Sequence, residues 1–182
     1  MKKLFAIVLA LVLVFALAAC GEEAPKTPEE VKGETVDAGK FTVLVPNGWK
    51  SFTSSDLFDE YDGDTDPTKL NIYRGAKDEW DQLRKPGLQI VYYGPNNMFY
   101  KPTKDFYDDA EDVAPIEIGG RKWEGFTATS LGTKICVLYT GDDPAGDQFC
   151  ANVWLDMSGE GKDVLATDDP ALIAILGSVR VN

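Results

Sequence analysis

The sequence predicts an α+β domain built on a mainly antiparallel sheet. Three observations carry this. Short apolar runs with period-two alternation recur along the chain, turn signals such as Asn47-Gly48 and Gly119-Gly120 separate them, and capped helical stretches are interspersed at wide intervals. Removing the polar and apolar leader described below leaves residues 36–182, about 147 residues, enough for one domain with a proper core.

The elements follow in chain order. Lys40 to Pro46 is a strand stopped by proline, and Asn47-Gly48 turns the chain into a second strand over Trp49 to Phe52. Ser54 or Ser55 caps a helical turn over Asp56 to Tyr61. Leu70 to Tyr73 and Leu88 to Tyr93 read as strands, and between them Ala76, Trp80 and Leu83 fall at helical spacing. Thr103 caps a short helix reaching Asp108. Pro115 to Ile118 and Lys122 to Thr129 form a hairpin about Gly119-Gly120. A second hairpin folds about Asp143 and pairs Ile135 with Ala151 and Val137 with Phe149, so that both apolar rows share one face. That register sets Cys136 opposite Cys150. Finally Asp169-Pro170 opens a helix with Leu172, Ile173 and Leu176 as its stripe, Gly177 ends it, and Ser178 to Val181 is a last strand.

The first residues determine an address. Met1-Lys2-Lys3 is cationic, Leu4 to Leu17 is an unbroken apolar run, and Leu17-Ala18-Ala19-Cys20 closes it. This is the plan of a secretory signal, and the run is shorter than the roughly 20 residues that cross a bilayer. The Leu-Ala-Ala-Cys junction resembles the lipobox of bacterial lipoproteins. The resemblance implies a signal peptide over 1–19 and diacylglyceryl modification of Cys20 as the new N-terminus. It places the domain on the extracytoplasmic face of a bacterial membrane. Residues 20–35 hold Glu, Pro, Lys and Gly and almost nothing apolar, which makes a flexible tether spanning on the order of 20 Å.

Charge and composition narrow the function classes. Loss of Lys2 and Lys3 lowers the formal charge of −12 by two, to −14. Such a surface repels phosphate backbones and anionic lipid, so nucleic acid is no partner and membrane attachment falls to the lipid anchor. The chain has no histidine. Ser-His-Asp and Cys-His nucleophile pairs and His-ligated zinc are thereby excluded, and any catalysis falls to carboxylates, Lys or Tyr. Ser130 and Lys134 sit in no recognisable catalytic motif. Cys136 and Cys150 remain as an even pair and a candidate disulfide in a compartment that permits one.

Phe41-Thr-Val-Leu-Val-Pro-Asn-Gly-Trp49 resembles the opening F-x-V-x-x-P-x-G-W of PsbP-like proteins. Ile118-Gly-Gly-Arg-Lys-Trp123 is similar to their central G-x-x-W hairpin, and Asp169 to Val181 to their closing helix and strand. The resemblance covers most of residues 39–181. It implies an antiparallel sheet sandwiched by helices (α/β/α), no enzymatic activity, and members that bind or stabilise protein partners. It transfers no functional residue set.

Two clusters are candidate sites. Asp56, Asp59, Glu60, Asp62, Asp64 and Asp66 fall within eleven positions. Asp62, Asp64 and Asp66 have the spacing that gathers alternate carboxylates around calcium. Pro67 replaces the glycine and Tyr73 the bidentate glutamate of an EF-hand, so at most weak calcium binding is expected and no other cofactor. Tyr92, Tyr93, Phe99 and Tyr100, with Trp80 and Tyr107 nearby, form a candidate contact surface. The reading is a lipid-anchored, non-catalytic binding or accessory module for envelope proteins. The alternatives are a metal-ion or small-solute binder using the 56–66 loop, and a carboxylate-based hydrolase.

Overall fold

The protein is described by a computed structural model covering residues 30–54, 65–95, 101–141 and 146–182. Ten strands and one α-helix follow in order: β1 (Gly33–Asp37), β2 (Phe41–Pro46), β3 (Trp49–Thr53), β4 (Lys69–Arg74), β5 (Gly87–Tyr93), β6 (Glu111–Ile118), β7 (Arg121–Ser130), β8 (Thr133–Thr140), β9 (Gln148–Asp156), α1 (Pro170–Ser178) and β10 (Arg180–Val181). They build two antiparallel sheets, a small one ordered β1-β2-β10 and a large one ordered β3-β4-β5-β9-β8-β7-β6.

Strand alternation divides the large sheet into an inner and an outer face. Leu70, Ile72, Leu88, Ile90, Leu138, Ala151 and Val153 point inward, against Phe41, Val43 and Val45 of β2 and Leu172, Ile175 and Leu176 of α1. These side chains are buried together and form the main core. Asp169 caps α1, accepting from the backbone N–H of Ala171 at 2.8 Å, with Pro170 in the first turn. Arg121 donates to the Val179 carbonyl at 3.0 Å and lies over the Phe149 ring, fixing the approach to β10.

The architecture is predominantly β, which corrects the expected α/β/α sandwich. Among the described residues the single α-helix lies with the small sheet on the inner side of the large one. The predicted helix through Ala76, Trp80 and Leu83 is a five-residue 3₁₀ helix, Glu79–Leu83, with Trp80 70% and Leu83 67% exposed. Asp78 accepts from the Trp80 amide and Asp81 from the Lys77 amide, local bonds that compete with a longer helix. Thr103 does cap a helix, but a 3₁₀ one that ends at Phe106. The stripe of α1 is Leu172, Ile175 and Leu176; Ile173 lies to its side.

Two further corrections concern strands. β1 forms where a tether is expected. Its residues are almost all exposed, so it is held by backbone pairing with β2, a force that composition does not reveal. The β8–β9 hairpin pairs Leu138 with Ala151 and Cys136 with Val153, a slip of three residues from the predicted register. An odd slip exchanges faces. Both strands carry an apolar row on each face, because Val137 and Cys150 join a second cluster with Phe126 and Ala128 on the outer side. Alternation alone therefore cannot choose between registers. Burial of Leu138 in the main core and the Phe149 N–H donated to the Thr140 hydroxyl at 2.9 Å favour the observed one.

Candidate functional site on the outer face of the large sheet

The inner face is covered; on the outer face Phe52, Asn71, Tyr73, Phe126, Ala128 and Val137 are buried too, and Gln89, Ile135, Asn152 and Trp154 are partly exposed. Two rows cross the outer face in register. One runs Phe52, Asn71, Gln89, Asn152, Val137, Phe126 from β3 to β7. The other runs Lys50, Tyr73, Gly87, Trp154, Ile135, Ala128.

The second row is organised by a glycine. A Cβ on Gly87 would stand 2.5 Å from Tyr73 Cδ1 and 2.5 Å from the Ile72 carbonyl oxygen. The Tyr73 ring therefore crosses the space a side chain would fill and stacks on Trp154, with centroids 5.8 Å apart and planes inclined by 21°. The first row supplies amides: Gln89 Nε2 donates to Asn71 Oδ1 at 3.0 Å, and Asn71 Nδ2 to the Ser54 hydroxyl at 2.9 Å. Trp154 and Asn152 continue into a shallow groove of about 270 Å³ bounded by Ile135, Leu131, Met157 and Tyr107. Two cations flank the face, Lys50 over Phe52 at 5.5 Å and Lys101 over Tyr139 at 4.9 Å.

The middle of this face carries no charge at neutral pH. Burial pushes the Tyr73 phenol up to about 12 and the Cys150 thiol up to about 12, and burial together with Cys150 raises Tyr93. Asn71, Gln89 and Asn152 do not titrate. The partly exposed members of this face, Trp154, Asn152 and Gln89, offer apolar contact and amide hydrogen bonds.

The predicted site residues are dispersed. Cys20, Asp62, Asp64, Phe99 and Tyr100 lie outside the described residues. Asp66 is buried, and its carboxylate accepts from the Thr68 hydroxyl at 2.6 Å and amide at 2.9 Å and meets Lys69 Nζ at 2.5 Å. Burial raises its pKa, but Lys69 and Thr68 outweigh that and hold it below the ordinary carboxylate range. This carboxylate is engaged by its own turn, and its two partners in the calcium trio, Asp62 and Asp64, lie outside the described residues. No group of three or more metal-ligating side chains occurs among the described residues. Tyr92 and Tyr93 do not share a surface, since neighbours on a strand face opposite ways. Tyr92 packs on Phe149 of the core at 5.3 Å and donates to Asp147, whereas Tyr93 faces outward with Cys150. Tyr107 packs on Phe126 with ring centroids 5.7 Å apart and planes tilted by 47°.

The disulfide is corrected as well. Cys136 lies in the main core and Cys150 in the outer cluster, on opposite faces of the sheet, and both are free thiols. Lys134 pairs with Asp109 at 3.6 Å, which gives it a structural partner. Sequence reasoning missed Tyr73, Trp154, Asn71, Gln89 and Asn152. Their signal is an amide or aromatic at alternate positions within otherwise apolar strands, but which of them meet depends on register.

No family model matches the chain, and a search of curated proteins finds no match. A crystal structure from Bacteroides thetaiotaomicron VPI-5482 is similar at a TM-score of 0.42 and 11% identity, over 82% of this chain and 48% of that one. The chain thus spans about half the length of that neighbour.

Proposed function

We propose that this protein is a membrane-anchored, extracytoplasmic binding module that holds another envelope protein against the outer face of its large sheet. The observation that carries the reading is the shallow groove lined by Trp154, Asn152, Ile135 and Leu131, with Trp154 braced from beneath by the buried Tyr73 ring and Gln89 by the buried Asn71. Flat aromatic and amide surface of this kind suits protein contact. The anchor rests on the Leu-Ala-Ala-Cys20 junction, and membership of the PsbP-like proteins on the order of the three quoted motifs. Non-catalytic action is supported by the absence of histidine and by the carboxylates of Asp66, Asp109 and Asp156, each of which accepts structural hydrogen bonds, Asp66 and Asp156 from their own turns and Asp109 from Thr129 of β7.

A photo-activatable cross-linker at Asn152, in the lipoprotein at its native membrane, tests this. One dominant envelope-protein adduct is expected there, and none from the same probe at exposed Glu34 of β1. Equal, diffuse labelling from both positions would reject the reading. Mass spectrometry of the mature N-terminus checks the anchor separately: a lipid-modified Cys20 is expected, and Cys20→Ala should release the chain from the membrane.

A further inference from the structure

The large sheet has two unlike ends. At one end β1 begins, β2 turns into β3, β4 passes to β5, β7 to β8, and β9 leaves the sheet. At the other end β3 departs toward β4, β6 turns into β7, β8 into β9, and the chain finishes after β10.

Five large apolar side chains are well exposed among the described residues: Trp80 (70%), Leu83 (67%), Phe106 (85%), Leu131 (103%) and Val164 (49%). Singly such residues mean little. Four of them, Trp80, Leu83, Leu131 and Val164, sit on connections at the first end, 75–86, 131–132 and 157–169; Phe106 lies on the stretch 101–110 that crosses from Tyr139 toward that end, which it reaches at Asp109, bonded to the Thr129 amide. Connections 75–86 and 157–169 are bonded to one another there. Lys85 meets Asp163 at 3.5 Å, and Arg74 donates to the Val164 carbonyl at 2.8 Å.

The chain that leads back to Cys20 joins at this same end. Asn47 donates its N–H to the Lys32 carbonyl at 2.8 Å, Gly75 to the Gly48 carbonyl at 2.8 Å, and Lys50 Nζ to the Lys77 carbonyl at 2.7 Å. A continuous set of bonds thus runs from the start of β1 to the connection that carries Trp80 and Leu83.

Charge is polarised along the same axis. At the first end, segment 75–86 holds Asp78, Glu79 and Asp81 against Lys77, Arg84 and Lys85 and is neutral, and 157–169 holds Glu160, Asp163, Asp168 and Asp169 against Lys162, so the Trp80 and Leu83 connection is the less acidic of the two. The connection 54–68, which starts and finishes at the far end, holds six acids and no base, and 141–147 adds Asp142, Asp143 and Asp147 with no base. Acidic surface is repelled by anionic lipid, whereas Trp, Leu and Phe beside Lys and Arg suit the headgroup boundary.

We propose that the end carrying Trp80, Leu83, Leu131 and Val164 docks on the lipid surface, with Trp80 and Leu83 as its leading contacts. The occupant is the bilayer interface, not a protein. The inference rests on the anchored reading above and deepens it. The tether then works as a short leash that holds a docked domain, the acidic end points away from the membrane, and the outer sheet face stands across the bilayer surface, open to a neighbour from the side.

The test uses the full mature lipoprotein in vesicles of zwitterionic phosphatidylcholine with brominated acyl chains. Of the four tryptophans, Trp80 is the one on an exposed connection, and Trp123 is fully buried. Bromine should quench the emission, Trp80→Phe should remove most of that quench, and aqueous iodide should reach Trp80 several-fold less than in detergent-free Cys20→Ser chain without vesicles. Leu83→Ser with Leu131→Ser, which keeps Trp80 as the reporter, should stay on the vesicles through the anchor while iodide regains access to Trp80; circular dichroism reports that it is folded. A modified Cys20 with no bromine quench and full iodide access would overturn docking and leave the anchor standing. An unmodified Cys20 and chain that fails to sediment with vesicles would overturn both. Shielding of Trp80 in native membranes but not in pure lipid would assign this end to a protein and overturn the lipid proposal.

Discussion

Gly87 shows how one missing side chain shapes the candidate site. Any Cβ there meets both the Ile72 carbonyl and the Tyr73 ring at 2.5 Å, and neither contact yields without moving β4 or the stacked pair. Gly87→Ala should therefore destabilise by about 1–3 kcal/mol in urea titration. It should also change Trp154 fluorescence as Tyr73 is displaced from the ring. The two buried thiols invite a second measurement. Burial raises Cys136 and Cys150 to about 12, so at pH 8 roughly one part in 10⁴ is thiolate. Both should resist thiol reagents in the native protein and react fully once it is unfolded, without prior reduction. A denatured chain that yields its thiols only after reduction would contradict the opposite-face placement.

At the scale of elements, α1 couples the end bearing Trp80 to the far end of the sheet. Its cap, Asp169, serves the Ala171 amide and also faces Arg74 at 3.4 Å, so one carboxylate starts the helix and ties it to β4. Asp169→Ala should cost about 1 kcal/mol of stability for the cap, measured by chemical denaturation. Leu176→Ala, in the fully packed stripe, should cost 2–5 kcal/mol by the same measurement, on the order expected for a core truncation. The contrast between the two separates initiation of the helix from its packing. The edge strand β6 shows restraint of another kind: Pro115 sits where the register shifts between Val113 and Ile116, and Glu111 and Asp112 are exposed beside it. Proline and charge on an edge discourage further strand pairing.

Across the whole molecule, acid stability should report on two carboxylates that close loops at opposite ends of the sheet. Asp66 is held low by Lys69 and Thr68 against the upward pull of burial. Asp156 is held low chiefly by the Ser158 hydroxyl, against burial, with help from the amides of Gly161, Ser158 and Gly159. A carboxylate whose folded pKa is depressed stabilises the fold while ionised. That contribution is complete above its unfolded value of about 3.9 and is lost as pH falls through the lower folded value. The melting temperature should thus be steady from neutral pH down to about 5 and fall below about 4. Replacing both residues by Asn should lower it at pH 7 and flatten the acid slope; an unchanged slope would assign the effect to other carboxylates.

The strands, the turns about Gly48 and Gly119, and the Asp169-Pro170 helix start were legible because each is written in local chemistry: period-two alternation, residues tolerant of positive φ, a capping carboxylate. The absence of histidine and the acidic balance likewise belong to the chain alone. The Tyr73–Trp154 stack, the separation of Cys136 from Cys150, the commitment of Asp66 to Lys69 and the gathering of Trp80, Leu83 and Val164 at one end did not. They depend on which residue of one strand meets which of another, and with apolar rows on both faces of β8 and β9 alternation leaves that choice degenerate. Tertiary burial chooses the face, placing Leu138 and Phe149 together in the core and Cys150 with Phe126 on the far side, and pairing such as the Phe149 N–H to the Thr140 hydroxyl fixes the register within it.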